Sequence, residues 1–170
     1  KRVYGGRNRM PSTRMGNLAL NRQTWIDAQE YRSKRNDAKP PKRDLAKETL
    51  VGVLDGEILV HNHCYRADEL NQIIDMSKEF GYKVTAFHHA TEAYKISNLL
   101  AENNVCAAVW ADWWGFKMES YDAIPENMVL VDAAPGGCAI VHSDSSEGIQ
   151  RLNQEAAKGI AYARRMGREV

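Results

Sequence analysis

Glu57-Ile58-Leu59-Val60-His61-Asn62-His63 opens the series that decides the fold. Three more short apolar runs follow it: Lys83–His89, Val105–Asp112 and Cys138–Ser143. Each precedes a segment that reads as helix. These are Arg66–Phe80, which stops at Gly81; Thr91–Asn103; a short helix near Pro125–Ala133, reached through a Trp-rich loop; and Ser145–Met166. Strands alternating with helices predict a parallel sheet with right-handed crossovers. Four such units suit a small doubly wound sheet or half of an eight-stranded barrel. The chain holds no G-x-G-x-x-G and no G-x-x-x-x-G-K-[ST], and Gly136-Gly137 precedes a strand rather than a helix. Phosphate-cradling functions therefore lose their main support.

Ahead of the series, Ser12 or Thr13 can cap a helix over Arg14–Lys34, with Leu18, Leu20, Trp25, Ala28 and Tyr31 as its apolar stripe. Pro40-Pro41 breaks the chain, and a second helix, Leu45–Leu54, ends at Asp55-Gly56, where glycine can turn left-handed. Residues 1–170 thus read as one partial barrel domain. Residues 1–56 form an N-terminal loop and helices, and 57–170 form four βα units.

Composition narrows the function. The 170 residues are 44% hydrophobic and 26% charged, which is ordinary globular content. A net charge of +1 gives no field for nucleic acid or a membrane surface. The basic residues Lys1, Arg2, Arg7, Arg9 and Arg14, with Tyr4 the one aromatic among them, read as a solvated or site-proximal arm. No apolar run approaches the roughly 18 residues of a membrane span. Three cysteines, Cys64, Cys106 and Cys138, are an odd number without paired spacing, and read as small buried hydrophobes rather than a disulfide framework. The chain starts at Lys1 without a signal peptide, so a longer native protein is expected and the compartment stays open.

In parallel α/β proteins, chemistry gathers at the carboxyl ends of the strands. Those ends read Val60-His61-Asn62-His63, Phe87-His88-His89-Ala90, Trp110-Ala111-Asp112 and Val141-His142-Ser143-Asp144, and they contain all five histidines. His61 and His63 share a strand face, as do His142 and Asp144, whereas alternation predicts that His88 and His89 point opposite ways, with one of them inward. Imidazoles and a carboxylate from several strands suit a borderline metal such as zinc. A metal there would lower the pKa of bound water, and a strand-end Asp could serve as ligand and general base.

Several of these segments resemble a known family. Ile58–Asp68 is similar to the fifth-strand segment of imidazolonepropionase-like members of the metal-dependent amidohydrolase superfamily, Phe87–Lys95 to their sixth, and Val141–Ser145 to their eighth-strand Asp motif. Lys1–Gly5 and Thr13–Gly16 resemble the region after the fourth strand in one branch. The resemblance implies roughly the second half of a TIM-type (β/α)8 barrel that hydrolyses C–N bonds of cyclic amides or small peptides. It implies a divalent metal, zinc, held by His61, His89 and Asp144, with His63 as the alternative to His61. Asp144 would also be the catalytic proton shuttle. Arg66, Tyr94, Trp113 and His142 would line the substrate side, although Arg66 could equally form a surface ion pair with Asp68 or Glu69. The first-strand His-x-His and the fourth-strand Lys or Glu of the family lie outside this chain. Position 88, commonly acidic, and position 142, commonly small and polar, are both His. A half-barrel would expose inner faces and strand edges. The expected partners are accordingly a second copy or the missing N-terminal half, with a small amide or peptide as substrate. Such a fragment is expected to be inactive alone. A non-catalytic binding module with vestigial histidines, or a metal-storage patch that does not need Asp144, are the competing readings.

Overall fold

The computed structural model describes residues 10–111, Gly115 and 117–168. The chain divides into two compact units. One holds the residues up to Leu59 together with Lys78–Lys83; the other holds Val60–Ser77 and everything from Val84 onward.

In the first unit, helix α1 spans Arg14–Lys34 and α2 spans Leu45–Leu54. Thr13 caps α1 by accepting from the Gly16 N–H, and Asp44 caps α2 by accepting from Ala46 and Lys47. Both satisfy amides that the first helical turn leaves unpaired. Trp25, Ala28 and Tyr31 are buried as the stripe predicts, but Leu20 is exposed. Trp25 stacks on Tyr82, ring centroids 4.1 Å apart. Gly56 takes φ +78°, so α2 stops where expected.

The second unit carries the βα series. Strand β1 is Val60–His63, β2 Val84–His88, β3 Cys106–Val109 and β4 Ala139–Val141. They form one parallel sheet in the order β1-β2-β3-β4. Helices α3 (Ala67–Phe80), α4 (Ser97–Glu102), α5 (Asn127–Asp132) and α6 (Leu152–Arg165) follow the strands in turn. Phe87, Ala107 and Val109 sit on the buried sheet face, with Leu70, Ile74, Met76, Leu100 and Val131 completing the core. The opposite face carries His63, His88, Ala108 and Ile140 in register, and Ile140 is exposed. This is the α/β architecture expected, with four parallel βα units as in part of a (β/α) barrel.

Two predicted helices are shorter than their periodicity suggests. Thr91–Asn103 begins with a 3₁₀ turn at Ala93–Ile96, because the Thr91 hydroxyl and the Glu92 N–H both donate to the Tyr65 carbonyl (3.3 and 3.0 Å) and hold the chain out of α geometry. Ser145–Met166 becomes regular only at Leu152. Its start is a turn in which the Ser145 hydroxyl accepts from Glu147 and Gly148, followed by a 3₁₀ turn at Gly148–Arg151.

The cysteine expectation is overturned. Cys106 and Cys138 form a disulfide, Cα atoms 4.6 Å apart. They head adjacent strands and lie one residue before the paired Ala107 and Ala139. Their sequence separation of 32 is set by the crossover, so it carries no sign of the pairing. Cys64 is the free thiol, buried as expected. In denaturant without reductant, a thiol reagent should label one cysteine, and with reductant three; three labels without reductant would exclude the bond. Replacing both Cys106 and Cys138 by Ser should lower the unfolding free energy by about 3–4 kcal/mol for a loop of this length, measured by urea titration.

Candidate active site

The parallel register brings the strand ends to one place. His63 pairs with His88 across β1 and β2. The ladder continues past the strands, since Cys64 N–H donates to the His88 carbonyl (3.1 Å) and His142 N–H to the Val109 carbonyl (2.9 Å).

All five histidines then lie in one continuous set of ring contacts. His61 Nδ1 and His88 Nε2 are 3.0 Å apart and share a proton, one ring donating and the other accepting. His63 lies against His89 with centroids 4.5 Å apart, and His142 meets both His89 (4.8 Å) and His88 (5.6 Å) edge-on. Trp110 walls the cluster through contacts with His89 and His142, and Tyr65 through contacts with His63 and His89. The Lys117 ammonium sits 4.3 Å over the Tyr65 ring.

Alternation predicts that only one of His88 and His89 points inward, and this is corrected. His89 lies just beyond β2 with φ +64°, in the left-handed region. That turn swings its ring to the side already occupied by His88, so both touch His142. For a residue with a Cβ the conformation costs about 1–2 kcal/mol.

Asp144 Oδ2 lies 4.0 Å from His89 Nδ1. The gap is too long for a hydrogen bond. It falls within the span of two ligands that each sit about 2 Å from one zinc ion. His89 Nδ1 and His142 Nε2 are buried without a hydrogen-bond partner. An imidazole nitrogen and a carboxylate are donor types that suit a divalent metal. Among the described residues, however, no three His, Cys, Asp or Glu side chains converge in metal-binding geometry. On β1 it is His63 that meets His89, while His61 faces His88.

The remaining candidates are placed as follows. Arg66 Nε donates to Asp68 Oδ1 (3.0 Å), the ion pair that the sequence allows. Tyr94 OH donates to the Asp122 carbonyl (2.9 Å). Trp113, with Asp112 and Trp114, lies outside the described residues. Burial pushes the thiol of Cys64, next to His63, up to about 12.

Sequence reasoning missed three buried polar side chains, Glu92, Asn127 and Glu155. Each reaches back to the loop after the preceding strand. Glu92 accepts from Ala67 N–H (3.1 Å), Asn127 donates to the Ala90 carbonyl (2.9 Å), and Glu155 accepts from Ala111 N–H (3.0 Å). The signal available was slight: a polar residue beside an apolar helical run, which usually reads as surface.

Burial holds the His89 imidazole down to about 4, helped by the neighbouring His63 and His142 and opposed by Asp144. His88 and His142 are lowered too, first by burial and then by neighbouring histidines. Imidazoles in the unfolded chain titrate near 6.5. The unfolded state therefore takes up protons first as pH falls. The stability linked to neutral His89 is complete above about pH 6.5 and is lost between there and about pH 4. Urea midpoints of the metal-free protein should fall between pH 7.5 and 4.5. His89→Asn, which tolerates the left-handed backbone, should flatten that fall; an unchanged slope would remove His89 as its source.

No family model matches the chain. The amidohydrolase tasK of Hapsidospora irregularis is 32% identical over 182 residues, covering 95% of this chain and 18% of that protein. The crystal structure of an amidohydrolase from Thermotoga maritima MSB8 superposes with a TM-score of 0.81 at 29% identity, covering 95% of this chain and 43% of the other. The chain thus spans under a fifth of the curated relative and under half of the solved one. Among the described residues, no helix is long and apolar enough to cross a membrane. In sequence and in fold alike, the chain is similar to proteins named amidohydrolases.

Proposed function

We propose that this chain is the portion of a metal-dependent amidohydrolase that carries the later strand ends of the catalytic barrel, acting on C–N bonds of cyclic amides or small peptides. The observation that supports it is the meeting of five histidines and Asp144 at the carboxyl end of one parallel sheet. The names of both relatives agree with the reaction class.

In this reading His89, Asp144 and one of His61 or His63 hold a divalent metal, zinc by its donor set, and ligands from outside the chain complete the site. The bound metal supplies a polarised carbonyl and water acidified to near neutral pH. Asp144 is suited to move the proton: its side chain is 56% exposed, and it lies next to a His89 kept neutral by burial. Trp110 and Tyr65 exclude water from one side of the cluster. Arg66, tied to Asp68, is placed to bind a substrate carboxylate only by leaving that pair. His142, Tyr94 and Trp113 complete the proposed substrate side. The strand-end motifs support a finer kinship with the imidazolonepropionase-like branch.

Within the sheet, β1 and β4 each have one strand neighbour. The rest of a barrel, or a second copy, would pair the open edges, and catalysis is expected only from the closed assembly.

Protein purified without added metal should contain a divalent ion by elemental analysis. His89→Ala combined with Asp144→Ala should remove most of it. A screen of N-acyl amino acids, dipeptides and hydantoin-like rings should find turnover with the longer protein that contains this chain. Metal content indifferent to the double substitution would reject the metal reading; turnover by the 170 residues alone would reject the need for a partner.

A further inference from the structure

His89 holds a backbone conformation that its side chain disfavours, φ +64°. Such a conformation persists only where the surroundings over-determine it. The restraint can be found in the structure. The next residue, Ala90, is fully buried, and its carbonyl accepts from Asn127 Nδ2 at 2.9 Å. Asn127 Oδ1 accepts from the Tyr94 N–H at 2.9 Å. Asn127 is only 2% exposed, so water does not replace either bond. One side-chain amide thus bridges the residue after His89 to the 3₁₀ turn four residues on, using its donor and its acceptor together. Thr91 and Glu92, between those two points, are anchored separately to the Tyr65 carbonyl.

The chemistry requires an amide. A carboxylate has the acceptor but no donor, and its second oxygen would face the Ala90 carbonyl. A hydroxyl is too short to bridge both points. Aliphatic side chains would leave the Ala90 carbonyl and the Tyr94 N–H buried and unpaired.

We propose that Asn127 is the positioning residue for His89: it holds the left-handed turn that brings the His89 ring against His142 and Asp144. This rests on the reading of His89 as a metal ligand for its consequence, though not for its geometry. Partners that orient a ligand typically change metal affinity by about 10–100-fold when removed.

The test reads geometry and affinity separately. In the metal-free protein with labelled histidines, nuclear Overhauser contacts report the His89–His142 and His61–His88 pairs. Asn127→Asp should remove the first and keep the second. Zinc affinity, measured by competition with a chelator, should fall about tenfold or more. That fall should vanish when Asn127→Asp is made in a His89→Ala background. Asn127→Ser serves where the Asp variant does not fold. Retention of the His89–His142 contact, with only the unfolding midpoint moved, overturns the proposal. Failure of both variants to fold also overturns it, because Asn127 then serves the fold as a whole. Metal affinity unaffected by His89→Ala rejects instead the metal role of His89, and the ring contact alone then decides for or against Asn127.

Discussion

Lateral hydrogen bonding between parallel strands is the constraint on which the site depends. Four strands in sequential order leave no freedom in which ends meet. The ladder carries on for one residue past the strands, through Cys64 N–H to His88 and His142 N–H to Val109. Those bonds fix the backbone beneath the imidazoles themselves. A slip of one residue in β1, β2 or β4 would turn the histidine at its end from the cluster to the helix-covered face. The bulge between Val60 and His61 shows such a shift confined to one strand: it lets His61 pair with Ala86 and His63 with His88.

Strand register places the loops only as far as their first residue. Beyond it, the buried side chains take over in a repeated arrangement. The element after β2 supplies Glu92 to the loop after β1, the element after β3 supplies Asn127 to the loop after β2, and the element after β4 supplies Glu155 to the loop after β3. Lys95 lies 3.3 Å from Glu92, and Lys158 pairs with Glu155, so neither buried carboxylate lacks a counter-charge. A buried charged group left without a partner would be strongly destabilising. Each unit of the series thus steadies its predecessor, and the ends of adjacent strands are coupled without relying on flexible loops.

What could be read in the residues follows this division. Helix α1 begins after Thr13, one of its two candidate caps, and helix α2 ends at Asp55-Gly56, because caps and glycine act locally. Parallel pairing, too, follows from alternation with helices, whereas the sequential order β1-β2-β3-β4 does not, since alternation suits a doubly wound sheet equally. The histidines were legible as a group because all five sit at strand ends. Their mutual geometry was not. Strict alternation assumes extended backbone, and His89 leaves it at the one residue that matters. The pairing of Cys106 with Cys138 depends on register between strands a crossover apart. Asn127 and Glu155 are polar residues whose partners are backbone groups of distant loops, and a backbone group leaves no mark in a sequence.

The cluster is also an electrostatic arrangement. Burial opposes a charge on these imidazoles, and neighbouring rings repel one another when protonated, so His88, His89 and His142 all favour the neutral form. A neutral imidazole has one donor and one acceptor. In the His61–His88 pair each ring uses one of the two on the other. His89 Nδ1 and His142 Nε2 remain buried and unbonded, 4.0 Å from a carboxylate in the first case. Buried polar atoms of this kind are costly unless satisfied. A proton on His89 Nδ1 would be held only weakly at this distance from Asp144. The same desolvation disfavours a second proton on these rings, so each keeps one ring nitrogen as an acceptor at neutral pH.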